Sequence, residues 1–132
     1  MHSAAIHLLR RVRQVDEEAM RISPARASAL SVLVFAGARS LTALAEAERV
    51  TPATMSKLVA AMEREGLLRR RPHATDGRAV RLEATPKGRR ILQHGRERRL
   101  ALLESLLAGT SARETAVVRE AAEIVERALR SG

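Results

Sequence analysis

A chain of 132 residues with 24 Lys plus Arg against 15 Asp plus Glu, and so a formal charge of +9, suits one small domain and a polyanionic partner. The absence of cysteine excludes disulfides, thiolate metal sites and thiol-based peroxide sensing, and a single aromatic residue, Phe35, leaves no stacking platform for single-stranded nucleic acid. No run approaches the roughly 20 apolar residues that span a bilayer and no hydrophobic leader precedes a cleavage site, so duplex DNA in the cytoplasm, with no membrane role, is the expected setting.

From about residue 4 to residue 21, Leu8, Val12, Val15 and Ala19 recur on one helical face, with Ile6 and Leu9 beside it and Arg10, Arg11, Arg13, Asp16 and Glu17 elsewhere. That stripe needs a cover, either its own domain or a second subunit. Ser23-Pro24 is a cap followed by a first-turn proline, and ARASALSVLVFAG continues as a second, more apolar helix ending near Gly37 that reads as core. Leu41 to Val50 is the first helix of a helix-turn-helix, with Thr42 as its expected N-cap, Leu44 and Ala45 facing inward and Glu46, Glu48 and Arg49 facing water.

The stretch from Thr51 to Gly88 organises the rest. Thr51 can cap and Pro52 can occupy the first helical position, where a missing N–H costs nothing. Met55, Leu58, Val59 and Met62 form one apolar face, and Ala53, Ser56, Lys57, Ala60 and Arg64 form the other. Gly66 supplies the left-handed residue that ends the helix. Small residues near the helix N-terminus let it sit deep in a major groove. Two extended runs follow around Asp76-Gly77, with Val80, Leu82 and Ala84 alternating against Ala79, Arg81 and Glu83, which predicts a two-stranded wing. Arg69, Arg70, Arg71, Arg78 and Arg81 make that hairpin strongly basic. One of Arg69 to Arg71 is expected to bond within the fold.

Thr85-Pro86 caps a long helix through Lys87, Arg89, Arg90, Ile91, Leu92, Arg96, Arg99 and Leu100 to about Leu107. Gly109 breaks it, and Ser111 with Glu114 makes a capping box for a last helix carrying Val117, Val118, Ala121, Ile124, Val125, Ala128 and Leu129. The apolar excess of these helices over what a small domain can bury predicts a dimer interface built from both chain ends, using Leu8, Val12, Val15, Val117, Ile124, Val125 and Leu129. The whole reads as mainly α with a small two-stranded β wing. It is expected as a single domain over residues 1–132, with a winged helix-turn-helix at about 23–88 and dimerisation helices at about 4–21 and 86–130.

The run TMSKLVAAMEREGLLRRRPHATDGRAVRLEATPKGRRIL resembles the MarR-type winged-helix transcriptional regulators, whose pattern is a recognition helix, a Gly-Leu stop, an Arg, an Asp-x-Arg wing and a Leu-Thr-x-x-Gly start to a long helix. The likeness is strong from Leu41 to Ile91. Departures are Ala84, where the family usually has Leu, and Arg49, where the turn often carries Gly, which implies a tighter or differently shaped turn. The resemblance implies DNA contacts from Thr51, Pro52, Ala53, Thr54, Ser56, Lys57 and Arg64 on the helix and from Arg71, Asp76 and Arg78 on the wing, Asp76 steering Arg78 toward the minor groove. It further implies a homodimer on a pseudo-palindromic operator, repression relieved by a small, often phenolic or apolar, anion, and no cofactor. The sequence by itself assigns that effector no aromatic-lined or paired-cation pocket.

Competing functions are weaker. His2, His7, His73 and His94 lack the close spacing of a metal motif. No Gly-rich loop joins a strand to a helix and no nucleophile constellation is present, so catalysis is not expected. The alternative reading is a basic module that binds nucleic acid without sequence preference or docks on another protein.

Overall fold

The computed structural model describes residues 1–72 and 79–131. In chain order its elements are α1 (His2–Met20), α2 (Pro24–Phe35), α3 (Leu41–Glu48), α4 (Pro52–Arg64), β1 (Leu68–Pro72), β2 (Val80–Ala84), α5 (Pro86–Leu107) and α6 (Ala112–Ser131). This is the expected helical winged helix-turn-helix. It divides into two compact units, Met1–Arg99 and Leu100–Gly132, with the boundary inside α5.

Helix starts follow the hydroxyls. Ser23 accepts the Arg26 N–H at 3.3 Å and Thr51 accepts the Thr54 N–H at 3.1 Å, each just ahead of a first-turn proline. Thr85 accepts the Gly88 N–H at 3.1 Å at the start of α5. The first helix of the helix-turn-helix departs from expectation: its N-cap is Ser40, whose hydroxyl accepts the Ala43 N–H at 3.1 Å, and not Thr42. The cause is a pairing distant in sequence. Arg39 forms an isolated antiparallel bridge with Leu82, exchanging N–H to carbonyl bonds of 3.1 and 2.8 Å, and so holds the chain extended until Ser40. Glu48, expected to face water, is half-buried and accepts the Ser28 hydroxyl at 2.8 Å.

In the first unit, Leu30 and Leu33 of α2, Leu44 of α3, Met55, Val59 and Met62 of α4, and Leu67, Leu68 and Leu82 at the base of the wing are fully buried. Each such side chain stabilises the fold by about 1.5–3 kcal/mol relative to exposure. β1 and β2 run antiparallel with Leu68 opposite Ala84, Arg69 opposite Glu83, Arg70 opposite Leu82, Arg71 opposite Arg81 and Pro72 opposite Val80. Leu82 and Ala84 point inward as expected, but Val80 is exposed, because the core reaches only as far along the hairpin as Leu82. α5 closes the unit through two buried glycines: Gly88 lies over Leu67 and Leu30, and Gly95 lies over Met20 of α1. Asp16 and Arg99 form an ion pair that fastens α1 to the same stretch of α5.

The second unit holds the end of α5 and α6. Thr110 donates to the Leu107 carbonyl at 2.8 Å and shares a hydrogen bond with Thr115 at 2.9 Å, closing the turn between the helices. The expected capping box is formed: the Glu114 N–H donates to the Ser111 hydroxyl at 3.2 Å, and the Ser111 N–H donates to the Glu114 carboxylate at 2.8 Å. The Ser111 N–H, and after it the Ser111 hydroxyl, hold that carboxyl below its ordinary value. No residue of α6 is buried.

Candidate nucleic-acid interface

α4 presents the strip that its sequence pattern predicts. Met55, Val59 and Met62 are buried, whereas Thr51, Pro52, Ala53, Thr54, Ser56, Lys57 and Arg64 are all exposed. By the helical period Ala53, Ser56, Lys57 and Arg64 share one strip. The side chains at Ala53 and Ser56 are too short to hold the helix away from base edges, and Lys57 and Arg64 supply donors and positive charge. Neither Lys57 nor Arg64 pairs with a carboxylate among the described residues.

The far end of the helix is fixed instead of free. The Leu67 N–H bonds the Met62 carbonyl at 2.9 Å and the Gly66 N–H bonds the Glu63 carbonyl at 3.0 Å, with Gly66 at φ 73°. This double closure needs a left-handed residue, which glycine adopts without steric cost. Glu63 pairs with Arg70 at 3.0 Å, Glu65 with Arg26 at 2.8 Å, and Lys87 donates to the Glu65 carbonyl at 2.7 Å. Exposed pairs of this kind contribute about 0–1 kcal/mol each, so their effect is to orient α4 against α2, β1 and α5 more than to stabilise it.

On the wing, Arg69 and Arg71 share one oxygen of Glu83, Arg71 at 2.8 Å. All three arginines expected at its root therefore have carboxylate partners, where one was expected. Arg71 remains more than half exposed while so paired. Asp76 and Arg78, the expected minor-groove pair, lie outside the described residues.

Arg49 ends α3 in the left-handed conformation, φ 55° and ψ 44°. Its N–H bonds the Glu46 carbonyl and the Val50 N–H bonds the Ala45 carbonyl, at 3.1 and 3.0 Å, which is the same double closure that Gly66 makes for α4. The turn thus keeps the backbone that a glycine would give it, at a conformational cost of about 1–2 kcal/mol.

The dimerisation candidates are open to solvent to different degrees. Val12 and Val15 are half-buried and Leu8 is exposed in the first unit; in the second, Val117, Ile124, Val125 and Leu129 are all exposed, Leu129 at 77%. One feature was missed in the sequence. Between α2 and the first turns of α5 lies an open cleft lined by Val34, Phe35, Leu92 and the guanidinium-bearing Arg89, Arg96 and Arg99. An aromatic face meets Arg89 and Arg96 there, beside Arg99, which Asp16 already pairs, from positions too far apart in the chain to suggest one another.

Comparison with known proteins agrees with this geometry. The sequence profile of the MarR family matches residues 22–80. An HTH-type transcriptional regulator from Mycobacterium tuberculosis is 31% identical over 123 residues, covering 93% of this chain and 86% of the relative. The structure of a MarR family protein from Bacillus stearothermophilus superimposes with a TM-score of 0.81 at 26% identity, covering 98% of this chain and 89% of its own. The Staphylococcus aureus MepR–DNA complex shares the fold, with a TM-score of 0.78 at 18% identity over 98% and 97% of the two chains. The exposed strip of α4, the basic wing and these likenesses together place the chain in the MarR family of DNA-binding transcriptional regulators.

Proposed function

We propose that the protein is a homodimeric repressor that binds a pseudo-palindromic operator, places one α4 in each of two successive major grooves, and releases DNA when a small anion binds. The observation that carries this reading is the strip of α4, which combines a capped N-terminus, short side chains and the unpaired Lys57 and Arg64 on one exposed face. Thr51, Pro52, Ala53, Thr54 and Ser56 approach base edges, Lys57, Arg64 and Arg71 hold phosphates, and Asp76 with Arg78 grips the flanking minor groove. MepR is seen bound to DNA with the same fold, which supports the mode of binding.

Dimerisation rests on α6 and α1. A helix whose polar and apolar faces are well separated, yet with no buried residue, lacks the cover that stabilises it. A second copy supplies that cover through Leu8, Val12, Val15, Val117, Ile124, Val125 and Leu129, and two-fold symmetry sets the reading helices about 34–36 Å apart, one turn of DNA. The chain then acts as one functional domain, residues 23–88 reading DNA and 4–21 with 86–130 joining the subunits. The cleft of Phe35, Arg89 and Arg96 has the chemistry for an aromatic or otherwise apolar anion. No helix among the described residues is long and apolar enough to cross a membrane, and a cytoplasmic location goes with this role.

Operators selected from genomic fragments, competed against bulk DNA at physiological salt, test the reading. A regulator prefers its operator by about 10³ or more, whereas a basic module without sequence preference gives a ratio near one. Lys57→Ala should weaken binding to all sequences, and Ser56→Ala should change preference among operator variants. Equal affinity of the wild type for operator and bulk DNA refutes the proposal.

A further inference from the structure

Four helices of the first unit end on or just before a left-handed residue: α1 on Arg21 at φ 53°, α2 just before Gly37 at φ 87°, α3 on Arg49 at φ 55°, and α4 just before Gly66 at φ 73°. At the end of α4 the double closure is made by the residue type that tolerates it. At the end of α3 the same closure is made by an arginine, although a glycine would adopt that backbone without strain. Strain and exposure alone do not separate Arg49 from Arg21; what sets Arg49 apart is its place in the turn that leads into α4.

We infer that Arg49 is a DNA-binding residue whose guanidinium holds a backbone phosphate at the edge of the groove that α4 enters. Arg49 stands two residues ahead of Thr51, the cap of α4, and is continuous with the exposed Thr51, Pro52, Ala53 and Thr54. Its side chain is exposed and has no hydrogen-bonded or ionic partner among the described residues, although Glu46 and Glu48 lie within three positions. Glu48 is engaged instead by Ser28 at 2.8 and 2.9 Å. The left-handed turn displays the guanidinium without committing it to a carboxylate, in contrast to Arg26, Arg69, Arg70, Arg71 and Arg99, all of which are paired. A long, fully charged donor fork fits a phosphate oxygen pair, and a phosphate contact fixes the register of α4 without reading a base. The inference rests on the DNA-reading role of α4 and adds a residue that the resemblance did not assign.

Arg21 provides an internal control, being an exposed, left-handed arginine at the end of a helix that carries none of the reading residues. Arg21→Gly and Arg49→Gly both relieve the same strain, so both should keep or raise the melting temperature. Only Arg49→Gly should weaken DNA binding. Counterion release gives about fivefold per phosphate contact at 0.15 M salt, hence roughly 30-fold for a dimer making two, with the salt slope smaller by about 1.8. The loss should be equal on operator and bulk DNA. Arg49→Gln, which keeps most of the length and removes the charge, should reproduce the loss, and Arg49→Lys should restore the salt slope. Binding is measured by fluorescence anisotropy from low to physiological salt on an operator and on bulk duplex. An Arg49→Gly or Arg49→Gln protein with wild-type affinity and salt slope overturns the inference, as does an equal loss in Arg21→Gly. Because the salt slope is read on bulk DNA too, a wild type without operator preference refutes the repressor reading and still decides the role of Arg49.

Discussion

Gly88→Ala should destabilise the protein sharply, although alanine is the better helix former. A Cβ built on Gly88 lies 2.3 Å from the Leu67 carbonyl oxygen and 2.9 Å from Leu30 Cδ1. The first distance is short by roughly 1 Å of the spacing at which carbon and carbonyl oxygen normally meet. That oxygen cannot swing aside cheaply, because it accepts the Thr85 N–H at 3.1 Å at the root of the wing. Overpacking against backbone costs about 3 kcal/mol or more and loss of the Leu67–Thr85 bond about 1 kcal/mol, against about 1 kcal/mol gained in helix propensity. The net loss of about 3 kcal/mol lowers the melting temperature by roughly 10 °C in a chain of this size. Gly95→Ala is the matched control: its Cβ meets Met20 Sδ at 2.7 Å and Cγ at 2.8 Å, a flexible side chain that can move, so the change should stay within about 1 kcal/mol. Thermal melts by circular dichroism at one protein concentration measure both. A Gly88→Ala protein melting with the wild type, or a Gly95→Ala protein melting below Gly88→Ala, refutes the reasoning.

Other expectations follow from features of the two units. If α6 joins two subunits as proposed, Val125→Asp on its exposed apolar face should give monomers by light scattering where the wild type gives dimers, and weaken operator binding with it, because the charge would be buried without a partner. Glu83→Gln removes the carboxylate that Arg69 and Arg71 share and should raise affinity for all DNA, steepen its salt dependence and lower operator preference; an unchanged salt slope would show that these arginines stay off the phosphates. The Glu114 carboxyl is held below its ordinary value by the Ser111 N–H and hydroxyl, so its cap contributes above the unfolded value and is lost as pH falls through the folded one. Ser111→Ala should therefore reduce helicity at neutral pH, and the gap to the wild type should narrow on acidification; a constant gap would assign the capping entirely to the Ser111 hydroxyl.

α4 was legible because every signal that makes it is local. Thr51 caps it, Pro52 starts it, the spacing of Met55, Val59 and Met62 buries one side, and Gly66 stops it. The capping box at Ser111 was legible for the same reason. What escaped was set by pairing across the chain. Ser40 displaced Thr42 as a cap because Arg39 is held by Leu82, and Val80 turned out exposed because the core stops at Leu82. The partner of Arg70, and the meeting of Phe35 with Arg89, Arg96 and Arg99, depend on how α2, α4, the wing and α5 approach each other. Hydrophobic period and turn chemistry carry no record of those approaches.

The wing is stapled at its root by three consecutive attachments: Leu67 to Thr85, Leu68 to Ala84, and the Thr85 hydroxyl to the Gly66 carbonyl. Past that staple the strands are held again by Leu82, buried in the core and bridged to Arg39, and by the Arg70–Glu63 pair. Loop-closure entropy grows only with the logarithm of length, so residues added or exchanged beyond Pro72 and before Val80 leave the closure almost untouched. The connection between Pro72 and Val80, unlike the strands themselves, is thus an interchangeable cassette. An engineer could graft a longer or differently charged connection here while the first unit, α4 included, keeps its fold.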